Sequence, residues 1–341
     1  MGSDIKSKYF TDTESTIISV VIFGFYIFLI YFIFNWLILD GVWSGDSNTC
    51  REGNGACVAF LREKVGFILF GVYPREFIYR PIIAIFSLVI GWFHFTKKHN
   101  WNKTLFLKFI LLMVFYIFLI RGFGDSIVPS TKWGGLPLTM LLSVIGVGVS
   151  YPLGVLLALS RTSHNKTLKY LAIFYIELIR GVPLISILFM SSVLIPLFLP
   201  DGVTINKLFR AQIAIILFSA AYFAEVVRGG INSIDKGQWE GARSIGLNYF
   251  QTVSLIVLPQ ALVKVIPPTV NTMIGMFKDT SLVIIIALFD LMGTTKASMT
   301  DGEWLGFSVE AYFLCAVIYY FICSNMGRFS RKIENELKRR K

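Results

Sequence analysis

Charge is scarce in this 341-residue chain. Asp, Glu, Lys and Arg make up 16% of it, against 55% hydrophobic residues and a mean hydropathy of +0.66. Soluble domains carry about a quarter charged residues, so the shortage excludes an ordinary soluble globular fold. No Gly-x4-Gly-Lys-Ser/Thr phosphate loop occurs, which excludes ATP hydrolysis by the chain itself. Histidine is limited to His94, His99 and His164, without metal-ligand spacing, and no Ser/His/Asp arrangement marks a nucleophile. The chain is therefore not expected to be an enzyme or to hold a metal or cofactor of its own. The formal net charge of +11 is accompanied by no base-reading module or aromatic RNA motif, so nucleic acid is not an expected partner. A cleavable signal peptide is not expected either: the first apolar run, Ile17 to Leu39, is too long and lacks a small-residue cleavage site. No low-complexity linker and no clear internal repeat divide the chain.

Long apolar runs fill the space that charge leaves. A helix needs about 20 residues to cross a bilayer. Eight runs qualify as spans, approximately 17–39, 81–96, 105–121, 136–160, 168–196, 211–227, 267–292 and 309–326. The fold class is an all-α polytopic membrane protein. The second span is short, and the fifth and seventh are long enough to be tilted or broken. Basic residues are nearly twice as frequent in the segments that lie inside when the N-terminus is inside, ending in Lys338-Arg339-Arg340-Lys341. That bias places both termini in the cytoplasm and the basic tail against an anionic lipid leaflet. Trp36, Trp92, Trp101, Trp133 and Trp304 fall near span ends, where an amphipathic ring prefers to sit. Val58 to Tyr73 is too short and too charged to span, and is predicted as an interfacial helix on the outer face.

The four cysteines divide two and two. Cys50 and Cys57 flank a Gly-rich polar loop that this orientation puts outside, where they either form a disulfide or remain two free thiols. Cys315 and Cys323 stand eight positions apart on one predicted helix, too far to bridge, and read as packing residues.

One polar segment is larger than a span connection requires. It runs from about 228 to 264 and contains Trp239-Glu240-Gly241-Ala242-Arg243-Ser244-Ile245-Gly246. A short helix is predicted around Trp239 to Ile245, ended by Gly246 in a left-handed conformation. A second amphipathic stretch with Phe250, Val253, Ile256 and Val257 follows and is predicted to stop near Pro259. The two make a rigid knob that moves as a body when gripped. Charges also enter the apolar runs. Glu177 and Arg180 are i, i+3 neighbours that can pair on one helix face before Gly181 and Pro183 interrupt it. Lys278 and Asp279 precede Thr280 and Ser281. Intramembrane charge is costly and faces protein, a partner or water, so these residues either line a translocation path or form a network holding spans together.

Glu240, Ala242, Gly246, Ile256, Leu258 and Pro259 match the E-A-A-x3-G-x9-I-x-L-P loop of type I ABC importer permeases, with Gly241 in place of the first alanine. That glycine loosens the helical turn by about 1 kcal/mol. The segments Glu177 with Arg180-Gly181-Val182-Pro183-Leu184, and Lys278-Asp279-Thr280-Ser281-Leu282, resemble those of polar amino acid permeases. WGGLPLT from Trp133, the stretch Leu157 to Arg161, and the loop from Cys50 to Phe60 resemble the M-type permease subunit of the general L-amino acid transporter. The resemblance covers roughly residues 40 to 330. It implies a five-helix importer core (spans 4 to 8, residues 131–330) with an N-terminal extension of three spans (1–130, with an outer loop about 40–80) and a basic tail (331–341). It further implies that Glu240, Gly241, Ala242, Arg243 and Gly246 dock on an ATPase that binds ATP and Mg. Expected partners are a homologous second permease subunit, two ATPase subunits, a periplasmic amino acid-binding protein and the lipid bilayer. An ion-gradient-driven secondary transporter or channel also accounts for the intramembrane charges, but not for the structured loop. A non-transporting membrane scaffold is a third reading, and it predicts no water-accessible path.

Overall fold

The computed structural model describes residues 12–97, 104–200 and 202–338. His99, Trp101 and the run after Lys338 lie outside the described residues. Among the described residues the regular structure is helical, with only two isolated backbone bridges. In chain order the α-helices are α1 (Thr13–Phe34), α2 (Ser47–Glu52), α3 (Val58–Phe70), α4 (Tyr79–Phe95), α5 (Leu105–Arg121), α6 (Gly135–Arg161), α7 (Lys166–Gly181), α8 (Leu184–Phe189) and α9 (Ile195–Leu197). They continue with α10 (Lys207–Asn232), α11 (Lys236–Ser244), α12 (Tyr249–Gln251), α13 (Leu258–Lys264), α14 (Ile266–Asp279), α15 (Leu291–Ser298) and α16 (Ser308–Lys338).

Among the described residues six helical segments are long and apolar enough to cross a membrane, and a bent pair, Lys166–Gly181 with Leu184–Leu197, makes a seventh. The count of eight expected from hydropathy is thus not confirmed. The run left over, the third, is α5, a helix of 17 residues, at about 1.5 Å rise per residue just at the lower limit for a span. The bent pair turns by 99° where Pro183 follows Val182. Proline removes an N–H and forces Val182 out of the helical region, to φ −109° and ψ 132°. The expected break in the seventh span is also present: α14 passes into a 3₁₀ segment, Thr280–Ile286, which ends at left-handed Ala287.

Two compact units form, Met1–Gly66 with Ser298–Leu314, and Phe67–Ala297 with Cys315–Lys341. In the first unit a disulfide joins Cys50 to Cys57, with Cα atoms 5.4 Å apart. Around it Phe60, Trp304, Phe307 and Ala311 make a small core. The Phe60 ring centre lies 5.8 Å from that of Trp304 and 5.9 Å from that of Phe307. Trp304, close to the start of the Ser308–Glu336 span, turns its ring into protein, and α3 turns Phe60 into the same core. The reason is a closing ion pair, Lys64 Nζ to Asp301 at 2.7 Å. It draws the 298–307 segment over the helix.

The second unit is organised by α6 and α10. Gly146, Ser150, Gly154 and Ala158 recur every four residues on the buried face of α6. Ala214, Ala220, Ala221 and Ala224 are buried on α10. A Cβ at Gly154 would come within 2.6 Å of the Phe223 Cβ and 3.0 Å of the Ala220 carbonyl oxygen, so only glycine permits this approach. Within a membrane such small-residue faces let helices gain van der Waals contact where no hydrophobic driving force exists.

Candidate functional site

The knob is built locally. Asp235 opens α11 by accepting the Gly237 N–H at 2.7 Å, so the helix starts three residues before the expected Trp239. Gly246, at φ +83°, closes it. The Gly246 N–H donates to the Arg243 carbonyl (2.9 Å) and the Leu247 N–H to the Ala242 carbonyl (3.1 Å). These are the two bonds of a Schellman cap. Asn248 and Gln251 then form a reciprocal capping box at the next helix start. The second stretch does not stop at Pro259. A π-helical turn, Thr252–Val257, runs directly into α13, and its wider hydrogen-bonding pattern carries the helical path past Pro259.

Ala242 is buried, while Glu240, Gly241 and Arg243 are exposed. Val253, Val257 and Ala261 turn inward. On the opposite side Ile245 (73% exposed), Phe250 (82%) and Leu255 are left uncovered. Large apolar side chains clustered on a rigid, otherwise polar element mark a docking surface. The knob is braced from behind. Gln260 Nε2 donates to Gln238 at 3.0 Å, Lys264 Nζ to the Ser233 carbonyl at 2.8 Å, and the Tyr249 hydroxyl to the Thr162 carbonyl at 3.1 Å. The Tyr249 ring also meets His164, with centres 4.8 Å apart.

The second constellation lies where α6, α7 and α10 meet. Glu177 and Arg180 do not pair with each other. Glu177 meets Arg161 at 2.8 Å, and Arg180 meets Glu225 at 3.5 Å. Their partners come from neighbouring helices, which sequence spacing does not display. Glu225 is the hub: it also holds Arg161 (2.9 Å) and Arg228 (2.8 Å). The Glu225 side chain is 16% exposed and that of Glu177 is 57% exposed. Arg180 lies with its guanidinium 5.7 Å from the centre of the Tyr222 ring. Arg161, Glu225 and Arg228 went unremarked as site residues. Their one legible signal was the i, i+3 spacing of an intramembrane Glu225 with Arg228.

The segment from 278 to 281 is separate. Thr280 is buried, its hydroxyl donating to the Phe277 carbonyl at 2.8 Å. Asp279 lines a small void of about 10 Å³ with Leu184 and Ser219, room for one water at most. Lys278 is exposed and Ser281 half-buried. Among the described residues no ion pair or hydrogen bond joins this segment to Glu177 or Arg180.

A membrane-embedded helical core with a capped, apolar-faced knob defines a membrane transport component that is worked by another protein. The chain belongs to the family of binding-protein-dependent transport system inner membrane components, whose model matches residues 150–337. It is 41% identical over 304 residues to the inner membrane amino-acid ABC transporter permease protein YhdY of Escherichia coli (strain K12), covering 88% of this chain and 83% of that protein. It is 32% identical over 374 aligned positions to the glutamate/glutamine/aspartate/asparagine transport system permease protein BztC of Rhodobacter capsulatus, covering 89% and 86%. Its fold is that of a chain in the crystal structure of an amino acid ABC transporter with histidines. That match has a TM-score of 0.54 and 29% identity, over 59% of this chain and 92% of the other. Membership implies ATPase and substrate-binding partners.

Proposed function

We propose that this chain is the permease subunit of an ATP-driven importer that carries L-amino acids from periplasm to cytoplasm, with both termini cytoplasmic. It pairs with a homologous second permease, and two ATPase subunits supply the ATP and Mg chemistry. A periplasmic binding protein delivers the cargo. Residues 1–130 are an extension, 131–330 the transport core and 331–341 a basic tail. Glu240, Gly241, Ala242, Arg243 and Gly246 seat the knob on one ATPase. When the ATPases close, the knobs move together, the paired permeases open outward, and cargo passes between them. Glu177, Arg180, Lys278, Asp279, Thr280 and Ser281 border that path, with Glu177 and Arg180 exposed enough to meet a zwitterion.

The observation that carries this reading is the knob: a doubly capped element at the position of the matching loop, with Ile245 and Phe250 exposed. In proteoliposomes holding the full transporter, Glu240→Lys and Gly246→Pro should uncouple ATP hydrolysis from uptake while the complex stays in the membrane. Normal uptake by both variants rejects the assignment. Uptake that collapses with a protonophore but survives ATP depletion would favour an ion-driven carrier instead.

A further inference from the structure

One cavity lies away from both constellations. It has a volume of about 490 Å³, within the range of ligand pockets. Trp133 and Gly134 lead into α6, Asn206 to Leu208 start α10, and Ala287 to Phe289 follow the 3₁₀ segment. Three membrane-spanning segments therefore end around it, Gly135–Arg161 and Lys207–Asn232 by their first residues and Ile266–Ile286 by its last. Such a place lies at headgroup depth, where Trp133 is a typical resident.

Its walls are mostly apolar, with Phe67, Trp133, Leu288 and Phe289 as the large contributors. The rim is polar: Asn206 Nδ2 donates to the Ser130 hydroxyl at 2.7 Å. Lys207 is the one formal charge in the lining, and no carboxylate lines the cavity. Among the described residues Lys207 has no ion-pair partner. The backbone here is constrained. Ala287, at φ +53°, is the one non-glycine residue in the left-handed region among those described. A Cβ on Gly71 would come within 3.2 Å of the Gly134 Cα. Strained backbone of this kind persists where surrounding structure enforces it and clusters at ligand sites.

We propose that this cavity holds one acyl chain of an anionic phospholipid against its aromatic wall, with the lipid's phosphate on Lys207 at the rim. An amino acid cargo fits poorly, because its ammonium group would need a carboxylate or several carbonyl acceptors, and the charged lining offers only a cation. A zwitterionic lipid gains less, since its cationic headgroup would lie beside Lys207. This inference goes beyond the transport reading and stands whether or not the knob couples to an ATPase.

The test is native mass spectrometry of the intact transporter released from nanodiscs of phosphatidylcholine doped with phosphatidylglycerol. The expected result is one phosphatidylglycerol retained per copy of this chain in preference to phosphatidylcholine. Lys207→Gln should weaken that retention about fivefold, the effect of about 1 kcal/mol for one basic contact near a membrane surface. Ala297→Phe, which fills the lining, should remove the bound lipid whatever its headgroup. Where Ala297→Phe fails to assemble, the Lys207→Gln comparison still decides. Equal retention of the two lipids, or retention unchanged in Lys207→Gln, overturns the proposal. So does a photo-crosslinker at Thr131 that captures a partner polypeptide and no lipid.

Discussion

Replacing Glu225 by Gln separates a structural hub from a path residue. Glu225 accepts one bifurcated hydrogen bond from the Arg228 Nε (3.1 and 3.2 Å to its two oxygens), one from Arg228 Nη2 (2.8 Å) and one from Arg161 (2.9 Å), and it faces Arg180 at 3.5 Å. A neutral amide leaves three guanidinium groups with one carboxylate, Glu177, touching only Arg161. Removing one partner of a buried pair costs about 3–5 kcal/mol. Arg180 and Arg228 are about a third exposed, so water screens part of the loss and the lower end, about 3 kcal/mol, applies. Glu177→Gln breaks one contact of a mostly exposed carboxylate, worth about 0.2–1 kcal/mol. Thermal unfolding of the purified transporter in detergent should therefore fall by several degrees for Glu225→Gln and by a degree or so for Glu177→Gln. Adding Arg228→Met to Glu225→Gln should recover part of the loss, because it removes an uncompensated cation. Equal destabilisation by the two single variants, or simple additivity in the double variant, refutes the hub.

The knob brace and the Lys64–Asp301 pair each carry a further outcome. Tyr249→Phe deletes the hydroxyl bond to the Thr162 carbonyl and keeps the ring against His164. The number of amino acids taken up per ATP in proteoliposomes should drop while the unfolding temperature moves by about a degree, since a single hydrogen bond contributes about 1 kcal/mol. In the first unit, Lys64 and Asp301 titrate against each other. The Lys64 hydrogen bond holds the Asp301 carboxyl below its ordinary 3.8. Burial pulls Lys64 down, but its bonds to Asp301 and Glu63 outweigh that and hold the ammonium above 10.5. The depressed carboxyl contributes stability above about 3.8 that is lost as pH falls through its folded value. The raised ammonium contributes stability below 10.5 that is lost as pH rises through its folded value. Hydrogen-exchange protection in the 298–307 segment, taken relative to the intrinsic exchange rate at each pH, should therefore be greatest between those limits and fall on acidification. Asp301→Asn should remove the acid limb.

What the sequence displays and what it hides divide along a physical line. Features that depend on neighbours along the chain were legible. These include the long apolar helices, the break at Gly181 and Pro183, and the left-handed Gly246 that ends α11. Each is decided within a few residues by hydropathy, a missing N–H or a missing Cβ. Features that depend on partners far away in sequence were not. Glu177 lies three residues from Arg180, yet it pairs with Arg161, 16 positions away, and Glu225 reaches the same arginine across 64. Trp304 shows the same limit: its place near a span end is legible, while the Phe60 ring that packs against it is not. α11 starts earlier than the Trp239 to Ile245 pattern predicts because its cap, Asp235, precedes that stretch.

The knob and the charged hub are joined by a short covalent step. Tyr249 holds the carbonyl of Thr162, and the preceding residue, Arg161, holds Glu177 and Glu225. A displacement of the knob has two outcomes at this joint. It slips at the Tyr249 hydroxyl, at a cost of about 1 kcal/mol, or it carries the α6 end along. Carrying Arg161 away from both carboxylates costs more, because one of them is largely buried. The joint therefore transmits movement only while the α6–α7 turn and the hub shift as one body. Glu225, which ties α6 to α7 and α10 through three arginines, is what makes them one body. On this argument the weak bond sets how tightly motion is coupled, and the strong network sets which helices move together. Tyr249→Phe and Glu225→Gln should accordingly fail in different ways, the first wasting ATP in a stable transporter and the second loosening the helices that must move.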